Sequence, residues 1–423
     1  MIFGNYKIPL PAKLSLPQYY RKDNIAMTAP NLQSVVPNPA EHLRAMGQLT
    51  SDAFSGGQYV EAYCDNYIGN SHYDWNVSRL FFDGEKLVHH WGVWGYQMRL
   101  ETIQLKIGGI GAVATHPEYR KQNLMHRAAQ ESFEAMARHG YDLSILRGRH
   151  YVKMGYGRAW NYVTYRFKLE DFPVTEPALA HQPLRLEEIP EMDELYNQSH
   201  AAYTGTAVRP TFYNKHPEDI CTHAWRDAVG KLVGYVRAAP SEEEPKTLLC
   251  LEAAGEPRQC LAVLADLFRS GEYEKIACFT LPHLHPLLQY LRTGNCTAEN
   301  RYFEITGWRV RLINLESALQ KLIPLLEKRL AESCFAHWTD ALLLDAGDQK
   351  ATLSIAGGKI ALSHETSPHT LCGGANIARF IIGSDEPEEI IRQAGMECTG
   401  LAQPIAHVLF PNLYPMMSHW DEY

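Results

Sequence analysis

Apolar positions along the chain change period several times, and each change marks an element. From Pro39, residues Ala40, Leu43, Met46 and Leu49 recur at helical spacing until Gly56 and Gly57, which predicts a helix there. Residues 59–67 continue helically. Residues 77–93 form two strand-like runs around Asp83-Gly84, a turn pair that favours a hairpin, and a further strand is expected at about 96–105. Residues 107–115 are small, apolar and β-branched, as suits a strand buried on both faces. His116-Pro117-Glu118-Tyr119 then breaks the ladder, because proline has no N–H to give it. Met125, Ala129, Phe133 and Met136 share one helical stripe, Gly140 ends that helix, and residues 141–146 form the next strand. Alternation over 159–169 predicts a strand that closes this first domain, and Pro173, Pro177 and Pro183 mark a linker.

Residues 184–306 repeat this order. A helix is predicted at 187–203, strands at 231–239 and 247–254, a turn with Gly255 and Pro257, a helix at 258–268, a strand at 275–280 and a helix after Pro286. Residues 307–423 open with a strand at 307–312 and a helix at 315–331 carrying Leu319, Leu322, Ile323, Leu326 and Leu330. Three short strands follow at 341–345, 351–355 and 359–363, an α+β layer. The fold class is therefore α/β with mixed sheets, in tandem domains at 23–173 and 184–306 and a third at 307–423. Residues 1–22, rich in proline and tyrosine without periodicity, read as an arm.

The 423 residues suit about three domains, and 45% hydrophobic content allows each a core. A net charge of −8 gives no basic excess for nucleic acid or an anionic membrane, and suits a cationic substrate. The N-terminal stretch lacks a basic-then-apolar pattern and no apolar run is long enough to span a bilayer, so a cytoplasmic protein is expected. Nine cysteines without Cys-x-x-Cys spacing argue against a disulfide framework or zinc site. His89-His90 and His283 with His285 lack a third ligand by spacing, so no metal is expected.

Candidate chemistry lies where the strand at 107–115 meets the helix. A helix N-terminus carries about +0.5 of a charge and unsatisfied donors, and Arg120 and Lys121 stand beside it, so the turn suits a diphosphate. Val113-Ala-Thr-His-Pro-Glu-Tyr-Arg-Lys-Gln-Asn-Leu-Met, followed by the strand at 141–146 and His150-Tyr-Val-Lys-Met-Gly-Tyr156-Gly, resembles the GNAT superfamily of acetyl-CoA-dependent N-acetyltransferases. The Tyr156 segment resembles its enhanced intracellular survival (Eis) branch.

The resemblance implies tandem GNAT-like domains, the second degenerate, and a third domain similar to sterol carrier protein. Its cavity is expected to be filled by side chains. It further implies acetyl-CoA as cosubstrate, a primary amine as acceptor, such as an aminoglycoside or a lysine side chain, no metal, and a homo-oligomer, in this branch often a hexamer. Val113, Ala114 and Thr115 would line the pantetheine arm, and Arg120, Lys121, Gln122, Asn123, Leu124, Met125 and His126 the pyrophosphate. Tyr151 would flank the coenzyme and Tyr156 would protonate the leaving thiolate. The chain ends on the aromatic Tyr423, whose α-carboxylate matches the branch's base; Asp421, Glu422 and a water chain are rivals.

Asn123 stands where the family has glycine, which leaves a second expectation open: a non-catalytic scaffold with an impaired coenzyme turn. Gly255-Glu256-Pro257 puts a carboxylate where phosphate would sit in the second domain, so no coenzyme is expected there.

Overall fold

The structure, a computed structural model, describes residues 2–3, 6–7, 32–171, 178–211 and 221–423. Apart from the paired strands Ile2–Phe3 and Tyr6–Lys7, the N-terminal arm lies outside the described residues, as does most of the proline-marked linker. The chain divides into two compact units, Met1–Trp94 with Ile110–His139, and Gly95–Gly109 with Gly140–Tyr423.

The first unit holds β1 (Leu32–Val35), α1 (Pro39–Ser55) and β2 (Arg79–Asp83). β3 (Lys86–Leu100) and β4 (Ile103–Thr115) run through both units, and α2 (Leu124–Arg138) belongs to the first. Asn38 caps α1 by accepting from Ala40 N at 3.0 Å, and Gly56, at φ 63°, ends it. The β2–β3 hairpin turns between Asp83 and Lys86, as Asp83-Gly84 predicts. The separate strand expected at 96–105 is instead the end of β3, a turn, and the start of β4. That turn is made by Glu101 at φ 50°, with no glycine or proline to announce it. The buried face of α2 is Leu124, Ala128, Ala129, Ser132, Ala135 and Met136, while Met125 and Phe133 are half-buried. The stripe is thus rotated from the one predicted, because small residues allow closer approach: Ser132 Oγ donates to Val77 O at 2.7 Å.

In chain order the second unit continues with β5 (Leu143–Arg147), β6 (Gly157–Arg158), β7 (Tyr162–Phe167), β8 (His181–Pro183) and α3 (Ile189–Ser199). Next come β9 (Cys221–Arg226), β10 (Leu232–Pro240), β11 (Thr247–Ala254), α4 (Pro257–Ser270), β12 (Lys275–Phe279), α5 (Pro286–Leu291), β13 (Thr297–Arg301) and β14 (Trp308–Leu312). β4 pairs with β5 in parallel, Ile107 opposite Leu143 through Gly109 opposite Ile145. The order β8-β9-β10-β11-β12-β7-β13 makes a seven-stranded sheet that repeats the plan. Its antiparallel run leads to one parallel pair, β11 with β12, joined by α4. Its core packs Trp225, Val236, Leu248, Leu261 and Leu264 against Tyr165 and Phe167 of β7.

The placement of β7 corrects the expectation that the strand at 159–169 closes the first domain. β7 lies between β12 and β13 in the second sheet, antiparallel to both. The place beside β5 is taken by β14, antiparallel from Trp308 opposite Arg147 to Leu312 opposite Leu143, with β6 outside it. Alternation specifies which face of a strand is buried, not which edge it joins, and either gap accepts such a pattern.

α6 (Leu315–Ala331) buries Leu319, Leu322, Leu326 and Leu330 of the predicted stripe, together with Leu315, while Ile323 is half-buried. After it come β15 (Asp340–Asp345), β16 (Lys350–Ala356), β17 (Lys359–Ser363), β18 (Thr370–Cys372) and β19 (Glu397–Cys398), in the order β17-β16-β15-β18-β19. Among the described residues no helix is long and apolar enough to cross a membrane.

Candidate active site

In the first unit, β4 departs from extended geometry at Ala112, whose φ of 47° is left-handed. Such an irregularity turns backbone groups out of the ladder, here just before Val113, Ala114 and Thr115. Ala114 is buried, and Val113 and Thr115 are half-buried. His89 Nδ1 lies 2.8 Å from the Thr115 hydroxyl. The turn that follows is pinned by Tyr119 donating to Asp83 at 2.7 Å and by Lys86 to Glu118 at 3.1 Å.

Lys121 (φ 64°) and Asn123 (φ 61°) are both left-handed, and asparagine is the non-glycine residue that tolerates this best. Asn123 therefore does glycine's conformational work. Its side chain makes no cap bond, and the first turn of α2 contains no acidic residue. Arg120, Lys121, Gln122 and Asn123 are exposed, Met125 and His126 half-buried, and Leu124 buried. The start of α2 thus presents backbone donors and two cations with no carboxylate of its own helix against them.

The matching place in the second sheet is closed. Glu256 accepts from Gln259 N at 2.9 Å, so a carboxylate already occupies the N-terminus of α4.

In the second unit the two catalytic candidates converge on neighbouring residues of β5. The Tyr156 hydroxyl is 2.6 Å from Ser144 Oγ, which in turn donates to Gly108 O at 3.1 Å. The Tyr423 hydroxyl donates to Ile145 O at 2.5 Å, and its ring lies over Gly109, where an added Cβ would stand 2.4 Å from Cε1. Tyr423 also meets Trp308 edge-on, 5.8 Å between ring centres. The C-terminal residue therefore sits at the last registered pair of the parallel ladder, Gly109 with Ile145.

Tyr156 is 1% exposed. Burial raises its phenol pKa, and the Ser144 hydrogen bond and the Arg311 charge act against that rise. Tyr151 meets Tyr156 edge-on at 6.2 Å, and burial pushes its phenol up to about 12. Both phenols hold their protons at neutral pH. The rival carboxylates are occupied: Asp421 is fully buried and bound to Arg209 at 3.1 Å, and Glu422 pairs with Arg147 at 2.7 Å. Ser144 and Gly109 carry no sequence signal of a site. Only the register of β4 against β5, and the path of the C-terminus, bring them to the two tyrosines.

No group of three or more His, Cys, Asp or Glu able to hold a metal ion occurs among the described residues. Residues 39–159 match the family model for the acetyltransferase (GNAT) domain. No curated protein sequence matches the chain. Among solved structures, a GCN5-related N-acetyltransferase from Anabaena variabilis is similar with a TM-score of 0.70 and 17% identity, covering 92% of this chain and 99% of its own. One from Kribbella flavida has a TM-score of 0.67 at 16% identity, covering 92% and 98%. Eis1 from Mycobacterium abscessus has a TM-score of 0.65 at 16% identity, covering 92% and 99%. Residues 39–159 thus carry a match to the GNAT acetyltransferase domain, and the chain shares the fold of solved GCN5-related N-acetyltransferases and of Eis1.

Proposed function

We propose that the chain is an N-acetyltransferase that moves an acetyl group from acetyl-CoA directly to a primary amine, with no acetyl-enzyme. The observation that carries this reading is the contrast between two helix starts. The N-terminus of α2 follows a left-handed Asn123 and lacks both a cap and an acidic first turn, whereas that of α4 is filled by Glu256. One GNAT turn is open to a diphosphate and its counterpart is shut. The scaffold alternative draws on Asn123 in place of glycine; an asparagine at φ 61° keeps glycine's backbone conformation, which supports the enzyme reading.

In this reading Arg120, Lys121, Gln122, Asn123, Leu124, Met125 and His126 hold the pyrophosphate, and Val113, Ala114 and Thr115 offer backbone to the pantetheine arm. Tyr151 flanks the coenzyme. Thioester aminolysis asks for positioning, removal of one ammonium proton and return of one proton to sulfur. Tyr156 keeps its proton at neutral pH and gives it to the thiolate. The α-carboxylate of Tyr423 takes the proton from the amine, and a poor base of pKa about 3.5 in water needs a desolvated seat for that role. Residues 307–423 are read as the sterol-carrier-like domain that brings the C-terminal segment into place.

Calorimetric titration with acetyl-CoA, paired with a thiol-release assay over a panel of amines, tests the proposal. Micromolar binding that weakens with salt is expected. Tyr156→Phe should keep that binding while kcat falls by about a hundredfold. Absence of heat at millimolar coenzyme would sink the enzyme reading.

A further inference from the structure

The residues leading to Tyr423 cross the second sheet through a buried set of charges that the proposed chemistry does not use. Arg209 donates from Nη1 and Nη2 to the two oxygens of Glu252, at 2.9 and 2.6 Å. The same guanidinium reaches Asp421 from Nε at 3.1 Å and from Nη2 at 3.2 Å. Thr211 donates to Asp421 at 2.8 Å and Tyr196 at 3.1 Å. Ser418, three residues before Asp421, donates to Glu252 at 2.5 Å, so Glu252 holds the C-terminal segment a second time. The Arg209, Glu252 and Asp421 side chains are at most 4% exposed.

Such a set is a poor device for stability, because desolvating each ion costs much of what their attraction returns and apolar residues of similar size would serve as well. What it provides is a single position. Its geometry is directional and satisfiable only when Asp421 lies in one place. Two residues of chain reach at most about 7 Å, so fixing Asp421 confines the Cα of Tyr423 to that radius. Neighbouring contacts point the same way. Trp420 lies under the Arg237 guanidinium at 4.0 Å, and Met416 N donates to Thr204 O at 3.0 Å. Gly205 admits that approach, since a Cβ there would stand 2.3 Å from Met416 N. The far end of the segment is then seated on Ile145 O and Gly109.

We infer that Arg209, with Glu252 and Asp421, is a positioning device for Tyr423: it acts on the reaction by holding the last residue in register and touches no substrate. This rests on the reading of the Tyr423 α-carboxylate as the base. Asp421→Asn preserves shape and removes one charge, and three readouts on the full chain test it. Carboxypeptidase release of Tyr423, followed by mass spectrometry, should quicken by about tenfold or more, because the segment leaves its seat more often. The kcat of acetyl transfer should fall by at least about tenfold while the KM for acetyl-CoA stays within about twofold, since only the base is misplaced. Ser418→Ala, which loses one anchor and leaves every buried charge paired, should show the same pattern more weakly and stands in if Asp421→Asn does not fold. Release at the wild-type rate in the folded variants would overturn the clamp. Faster release with unchanged kcat would overturn its link to the reaction. If the wild-type chain acetylates no amine, the enzyme reading falls while the release rate still decides whether Arg209 holds Tyr423.

Discussion

At the scale of single residues, the site depends on atoms that are missing as much as on those present. Gly109 has no side chain where the Tyr423 ring lies, and its φ is not among the left-handed ones, so the requirement is space rather than conformation. Gly109→Ala should therefore fold with the same backbone and push the tyrosine ring aside. Overpacking of this kind, with loss of the bond to Ile145 O, is expected to lower stability by about 1–3 kcal/mol in urea titrations. A variant as stable as the wild type would show that the ring is not seated there. Tyr156 and Tyr423 could be named as candidates from the sequence, the first by a motif and the second by its place in the resemblance. The contacts of Ser144, Gly109 and Arg209 with them or with the segment before Tyr423 could not, because they follow from strand register and from residues far apart in the chain.

At the scale of elements, the two sheets share a plan but differ at the start of one helix each. α4 begins with Glu256 bonded to Gln259 N, an N-cap in the place where α2 leaves its donors uncapped by Asn123. Glu256→Ala should cost about 1 kcal/mol of stability, as the loss of an N-cap does elsewhere. Acetyl-CoA stoichiometry should stay at one per chain, since neither a paired cation nor an Asn123-like turn replaces the lost carboxylate. Two equivalents bound to that variant would mean the second sheet is a suppressed coenzyme site. Element types were largely readable from period: α6 is the helix the leucines predict, and the hairpin turns at Asp83-Gly84. Partners were not. β7 and β14 have patterns that fit either sheet, and only the packed structure assigns β14 beside β5 and β7 beside β12.

At the scale of the whole molecule, buried histidines link stability to pH. His89 bonds Thr115 at 2.8 Å, His90 lies 2.8 Å from the Tyr73 hydroxyl, and His285 lies 2.9 Å from Ala253 O. All three are at most 2% exposed, and burial lowers them to about 4, about 3 and about 4. His200, fully enclosed, is lowered in the same direction. Unfolded, each titrates near about 6.5. As pH falls below that value the unfolded chain binds protons that the native one refuses, so stability is full above about pH 6.5 and declines until the folded values are reached. Asp193 opposes this: burial raises its carboxyl to about 6, so it binds a proton first in the folded state and adds stability as pH falls below that value. One carboxyl against at least three imidazoles leaves the histidines in control. Glu188 and Glu244, each held down to about 2 by arginine hydrogen bonds, and Glu252, which the Arg209 and Arg237 charges hold well below the usual carboxylate range against its burial, contribute their losses only below about pH 4.5 and do not enter the comparison. Between pH 7.5 and 5.5 each buried histidine should remove about 1.4 kcal/mol, a fall visible as a lower urea midpoint at pH 5.5. His90→Phe should remove about a third of the summed effect of the three, because it takes one site out of the linkage while filling the same apolar space. Equal midpoints at the two pH values would mean that these imidazoles are not held neutral in the folded protein.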